Sequence, residues 1–137
     1  MGPPYRVIQW GTGSVGREAL RAILDCPELE LAGVRVYSEE KDGADAGLLC
    51  GLPPAGIRAT RDREAILRLP ADCVCYAPRT ASLDDVCALL ASGKNVVATP
   101  FLFFPPALPP ADLERVRAAC AAGRSSVHAP GSTFHCL

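Results

Sequence analysis

A chain of 137 residues, 49% of them hydrophobic and 21% charged, has the composition of a globular domain with room for one core. Its formal net charge of -1 gives no electrostatic case for nucleic acid, and no apolar run approaches the roughly 18 residues that cross a membrane. The N-terminus lacks a basic region followed by an apolar one, so the sequence reads as cytoplasmic, with small molecules as partners.

Tyr5 to Trp10 reads as a buried strand that runs directly into Gly11-Thr12-Gly13-Ser14-Val15-Gly16, which opens a helix. In that setting the glycine spacing is the dinucleotide-binding fingerprint. Gly11 permits the tight turn, Gly13 lets backbone amides approach a pyrophosphate, and Gly16 allows helix and strand to pack closely. Thr12, Ser14 and Val15 fill the loop between them, and the helix start adds unpaired N–H groups and the positive end of a dipole.

From Ser14 to Asp25, the residues Val15, Ala19, Leu20, Ile23 and Leu24 share one helical face, and Pro27 ends the helix. Leu29 to Tyr37 is predicted as a second strand. Ser38 to Gly56, rich in glycine, charge and proline, is predicted as a loop with a helical turn at Leu48, Leu49 and Cys50. Ile57 to Ala59 then supplies a third, edge strand, and a helix follows over about Asp62 to Leu69. Asp72 to Ala77 is an apolar run suited to a strand buried on both faces.

Ser82-Leu83-Asp84-Asp85 reads as an N-cap with an acid three residues on, starting a helix through Ala91 that Gly93 terminates. Asn95 to Ala98 is the fifth strand. Pro109 and Pro110, with Asp112 and Glu114, mark a helix start whose apolar positions run to Ala122, with Gly123 as its cap. Ser125 to Ala129 is the sixth strand. The expected fold is α/β, a single-domain, doubly wound parallel sheet of the Rossmann type with strand order 3-2-1-4-5-6 and the cofactor across strands one and four.

Seven cysteines, at 26, 50, 73, 75, 87, 120 and 136, are an odd set without the paired spacing of a zinc site. They read as small core residues in a reducing compartment; for Cys73 and Cys75, on one face of a strand, a redox or metal role is the alternative to buried packing. No metal site is expected.

Ligand groups should come from the carboxyl ends of the strands, which nominates the glycine loop, Tyr37-Ser38, Ala77-Pro78-Arg79 and Ala98-Thr99-Pro100. After the second strand the chain reads Tyr37-Ser38-Glu39-Glu40-Lys41. Ser38 suits a 2′-phosphate, with Arg35, Lys41, Arg61 or Arg63 as charge partners, while Glu39 and Glu40 oppose one. The reading leans to NADP and leaves NAD open. Arg79 is placed to meet a ribose, a phosphate or a substrate carboxylate. His128 and His135, the two histidines, have no Ser or Cys partner at triad spacing, so no catalytic residue is nominated. The apolar run Phe101-Leu102-Phe103-Phe104-Pro105-Pro106 is read either as local packing or as a contact surface, with self-association through Phe101, Phe103 and Phe104.

Across residues 5 to about 128 the chain resembles the N-terminal nucleotide domain of the dihydrodipicolinate reductase-like oxidoreductases, notably the branch of 2,4-diaminopentanoate dehydrogenase and related amine dehydrogenases. The resemblance rests on Val7-Ile8-Gln9-Trp10 with the glycine loop, on Gly33-Val34-Arg35-Val36-Tyr37-Ser38, and on Gly93-Lys94-Asn95-Val96-Val97 followed by Ala98-Thr99-Pro100. It implies NAD(P)H-dependent reduction of a C=N bond, or the reverse amine oxidation, by hydride transfer. In the amine dehydrogenase branch an acidic residue follows the fifth strand, where this chain has Phe101 and Leu102. Family members also continue into a substrate and oligomerisation domain through a glycine-rich segment that Ala129 to Leu137 does not resemble. The expectation is therefore a nucleotide domain at 1–128 with an atypical tail at 129–137. It would be a truncated or frameshifted product of low activity alone, with a natural single-domain paralogue as the alternative. A non-enzymatic nucleotide-sensing or interaction module is the competing functional reading, and self-association that assembles a complete site is a third.

Overall fold

The computed structural model describes residues 4–99 and 108–129. The apolar runs form the strands β1 (Tyr5–Trp10), β2 (Leu29–Arg35), β3 (Cys73–Tyr76), β4 (Asn95–Ala98) and β5 (Val127–His128). The amphipathic segments form the helices α1 (Ser14–Asp25), α2 (Ala46–Leu49), α3 (Arg63–Arg68), α4 (Leu83–Ala91) and α5 (Pro110–Gly123). All strand pairs are parallel, in the order β2-β1-β3-β4-β5, so the chain steps outward from β1 in both directions. The fold is Rossmann-like, as the alternation of strand and helix predicts.

Side-chain alternation divides the core between two faces. Ile8, Trp10, Val74, Tyr76, Val96 and Ala98 face α3, α4 and α5, where Ile66, Leu89, Leu90 and Val116 meet them. Val7, Leu31, Val34 and Val36 face α1 and α2, against Leu20, Ile23, Ala46 and Cys50. The register sets Arg35, Trp10, Tyr76 and Ala98 abreast, so four strands end on one line. Lys94 is only 4% exposed, and its ammonium donates to Leu67 O of α3 at 2.6 Å and to Ser92 Oγ at the end of α4 at 3.0 Å. Burial pulls its pKa down.

Several expectations need correction. The segment 57–59 forms no ladder: Thr60, not those residues, bridges Arg35 in parallel, while Arg58 bridges Asp45 in antiparallel. Ala59 is engaged by the 43–46 loop through Gly43 N and Ala44 O, so its backbone is shared between two neighbours and no regular edge strand develops. β2 stops at Arg35 rather than Tyr37, because Val36 N turns to Thr60 O. Val15, assigned to the buried face of α1, is 61% exposed. Among the six described cysteines only Cys50 is fully buried. The others are half-buried, and burial pushes the Cys73 and Cys75 thiols up.

Two helix ends differ as well. Ser82 Oγ accepts from Asp85 N, but the Asp85 carboxylate pairs with Arg63 instead of reaching back to complete a capping box. Gly123 is the last residue of α5, and the left-handed cap is Arg124, at φ 53 and ψ 48. A glycine is needed at 123 for another reason: a Cβ there would lie 1.8 Å from Leu90 O and 2.9 Å from Gly93 N. Helices α4 and α5 approach backbone to backbone at that point.

In the long loop after β2, one carboxylate does the organising. Asp45 Oδ2 accepts from Gly47 N and Leu48 N, capping α2, and also from Ala55 N, while Oδ1 accepts from Gly56 N. These bonds, that from Ala55 foremost, hold the Asp45 carboxyl below its ordinary range. Asp45→Ala should therefore lower the melting temperature at neutral pH. A depressed pKa lends stability that is present above the ordinary value of 3.8 and lost as pH falls through the folded-state value, so the gap between variant and parent should narrow on acidification. Melting curves from pH 7 down to pH 2.5 test this, and a gap independent of pH would refute it. Gly123→Ala should unfold or severely destabilise the chain, since the added methyl would meet backbone of α4 at 1.8 Å, and a denaturant melt checks this.

Candidate functional site

The carboxyl ends of β1, β2 and β3 converge on the loop that leaves β1. Gly11 takes φ +98, and a Cβ on it would meet Ala77 O at 2.4 Å and Pro78 Cα at 3.1 Å. Its N–H donates to Arg35 O at 3.0 Å, so the turn is wedged between the end of β2 and the loop after β3. Gly16 stacks directly above, where a Cβ would lie 2.2 Å from Gly11 O. Beneath, the buried Gln9 side chain donates from Nε2 to the same carbonyl at 2.9 Å.

Gly13 differs from both. It is exposed, has an ordinary φ of -72, and a Cβ on it would meet nothing within 4 Å. It is the N-cap of α1 without a side-chain cap, and the first turn of α1 holds no acid. In α2, α3 and α4, by contrast, Asp45, Asp62 and Ser82 cap the first amides. Ser14 and Val15 are also exposed, so the positive end of α1 opens to solvent beside a space bounded by backbone.

The nominated neighbours fall into place unequally. Ala77 and Pro78 are buried against Gly11, and Ala77 N donates to Trp10 O at 2.8 Å. Arg79 is exposed in the loop that follows. Thr99 is exposed too, but its hydroxyl turns back toward Tyr76 O at 3.4 Å. Ser38 is exposed and its carbonyl accepts from Lys41 N. Tyr37 is 48% exposed, accepts from Trp10 Nε1 at 2.7 Å, and has its pKa raised chiefly by burial. His128 lies exposed on β5. Pro100, the run from Phe101 to Pro106, His135 and the tail beyond Ala129 lie outside the described residues.

The four candidate cations separate. The Arg35 guanidinium lies over the Tyr37 ring at 4.3 Å and the Trp10 ring at 5.4 Å, with its NH1 bonded to Val36 O. Arg63 pairs with Asp85 at 2.6 Å and with Glu64 at 2.9 Å. Arg61 donates to Tyr37 O at 3.0 Å and sits 3.7 Å from Glu39. Lys41 alone among the four reaches the glycine loop: its Nζ is 3.0 Å from both Thr12 O and Thr12 Oγ1. In sequence the four are equal candidates, Arg35 and Lys41 beside the end of β2 and Arg61 and Arg63 much further along the chain, and only the fold distinguishes their partners.

No protein-family model matches the chain. In sequence it is 36% identical to an amine dehydrogenase of Streptomyces virginiae, an alignment that takes in 90% of this chain and 37% of that protein. It is 35% identical to a 4-hydroxy-tetrahydrodipicolinate reductase of Synechococcus elongatus, over 46% of this chain and 23% of the reductase. The chain thus spans little more than a third of the length of the first relative and less of the second. Among solved structures, the amine dehydrogenase of Mycobacterium smegmatis superposes with a TM-score of 0.81 at 19% identity, over 91% of this chain and 38% of that one. The Synechocystis biliverdin reductase, in complex with biliverdin and NADP+, gives 0.66 at 21% identity over 91% of this chain and 38% of its own. A Listeria innocua NAD-binding protein gives 0.69 at 19% identity, over 94% of this chain and 34% of its own. The homologues are those the sequence motifs implied, an amine dehydrogenase and reductases of the dihydrodipicolinate type.

Gly16→Ala should unfold or severely destabilise the chain, since the added methyl meets backbone of the turn at 2.2 Å. Gly13→Ala, placed in open space at an ordinary φ, should change stability by no more than about 1 kcal/mol, the cost of a poorer N-cap. Denaturant melts of the two variants check this, and equal losses would refute the division of labour between the glycines.

Proposed function

We propose that this chain binds a nicotinamide dinucleotide across the carboxyl ends of β1, β2 and β3, as the cofactor-binding part of a dihydrodipicolinate reductase-like oxidoreductase. The observation that carries this reading is the open space over Gly13 at an uncapped helix start, in a turn where Gly11 and Gly16 are both pinned by backbone. That space is where a pyrophosphate fits, with the amides of Gly13, Ser14 and Val15 as donors and the dipole of α1 as the countercharge. The names of the homologues support it, as do the NADP+ in the biliverdin reductase complex and the naming of the Listeria protein as NAD-binding.

In this reading Thr12, Tyr37 and Ser38 border the adenosine ribose, Ala77, Pro78 and Arg79 line the path between β1 and β3, and Thr99 stands beyond it. The cofactor supplies a hydride to, or takes one from, the carbon of a C=N or C–N bond. This chain's residues hold the dinucleotide: Gly11 and Gly16 fix where α1 begins, and Gly13 leaves the approach open. NADP is favoured over NAD by the basic residues after β2. No catalytic acid is assigned.

Isothermal titration of the purified chain with NADPH and with NADH tests the reading. Micromolar binding is expected for at least one, and Gly13→Val should weaken it by about tenfold or more while the melt stays close to that of the parent, since the valine occupies ligand space rather than protein space. Absence of binding by folded protein, or binding untouched by the valine, would overturn the assignment.

A further inference from the structure

We propose that a pocket at the amino edge of the sheet, opposite the glycine loop, is a second binding site, for a small carboxylate with an apolar body held by Lys94 and Arg68. The pocket has a volume of about 370 Å³ and is bounded by the end of α3, the approaches to β3 and β4, and Arg6 of β1. Its frame is fixed by main chain. Asp72 N donates to Arg6 O at 2.9 Å, Asn95 N donates to Asp72 O at 3.1 Å, and Arg6 N donates to Asp72 Oδ2 at 2.8 Å. Leu67, Leu69, Pro70 and Ala71 give it an apolar wall.

The charges decide what fits between them. Three cations, Arg6, Arg68 and Lys94, and one acid, Asp72, line the space. Arg6 is already matched by Glu30 at 3.3 Å, and its Nε donates to Pro70 O at 3.0 Å. Arg68 and Lys94 enter no ion pair among the described residues. Two cations then face one acid, a surplus that a monoanion balances and a dianion exceeds.

Lys94 is the anchor. A buried ammonium has given up its hydration and needs partners that replace it. Leu67 O and Ser92 Oγ take two of its three donors, but neither carries a formal charge, and one N–H remains. Burial alone depresses its pKa, with no acid acting to raise it. A carboxylate in the pocket takes a charge-assisted bond from this ammonium and a second from the exposed Arg68 guanidinium, while its body lies on the leucines. The competing role for Lys94 is a strap that joins the ends of α3 and α4, and a strap binds nothing.

The test is titration of the isotopically labelled chain with isobutyrate, isobutyramide, inorganic phosphate and sodium chloride, followed through its amide resonances. Isobutyrate should shift the amides of 67–72 and 92–95 saturably, with a Kd of about 1–10 mM. Isobutyramide and phosphate should bind about tenfold more weakly or less, the first for want of a charge and the second for its excess of one. Arg68→Gln, an exposed change, should weaken isobutyrate by about threefold or more, and Lys94→Met should abolish its binding. If Lys94→Met does not fold, the Arg68 variant and the neutral amide still decide the matter. The proposal is overturned if sodium chloride reproduces the shifts, if isobutyramide matches isobutyrate, if phosphate binds more tightly, or if either folded variant binds as the parent does. A folded parent that shows no saturable shift up to about 100 mM isobutyrate leaves Lys94 a strap and overturns it as well.

Discussion

The carboxyl edge of the sheet is built on contact of backbone with backbone at the turn that leaves β1. Gly11 is held from three sides: its N–H by Arg35 O, its α-carbon by Ala77 O, and its carbonyl by the Gln9 amide with Gly16 overhead. Any side chain at Gly11 or Gly16 would have to displace main chain rather than a movable rotamer. The start of α1 is consequently fixed against the ends of β2 and β3, and the residues that follow, Gly13 to Val15, are left on the surface. A site made of amides depends on that fixity, because an amide has no torsion of its own with which to correct a misplaced helix.

The same constraint explains why α1 can leave its first turn uncapped. A helix start with a serine or aspartate cap gains about 1 kcal/mol, and α2, α3 and α4 all take it. α1 forgoes the cap and any first-turn acid, yet it is 12 residues long and buries Leu20 and Ile23 against β1 and β2. Tertiary packing, not local capping, holds it in place. The amides and the dipole of its first turn are thereby left open to solvent.

How much of this can be read from the sequence follows from the range of the interactions. β1, α1 and β4 coincide with the predicted runs because burial period, glycine and proline are local signals. The glycine loop was legible for the same reason, although only the fold separates the structural roles of Gly11 and Gly16 from the open space at Gly13. Arg35 misled because its partners are set by the register of Trp10 against it across two strands. Arg63 looked available because Asp85, which neutralises it, lies 22 residues away on another helix. Gly123 suggested a cap since glycine after a helical run does so by default, whereas its neighbour Leu90 O belongs to a different helix.

The two ends of the site are supported by different physics. The turn that leaves β1 is pinned by backbone at Gly11 and Gly16, where an added side chain disturbs the fold, and is open over Gly13, where one does not. The other side is the loop after β2, whose ordering costs backbone entropy that apolar burial offsets in part, with Val36, Ala46, Cys50 and Ala59 buried and Leu49, Leu52 and Ile57 packed against them. Polar bonds compensate, through the four amides on Asp45 and the two bonds from Lys41 to Thr12. Lys41 thus ties the two together: its bonds to Thr12 moor the loop after β2 to the turn that leaves β1. A substitution there alters how firmly the loop is held, while the strand ends remain as they are.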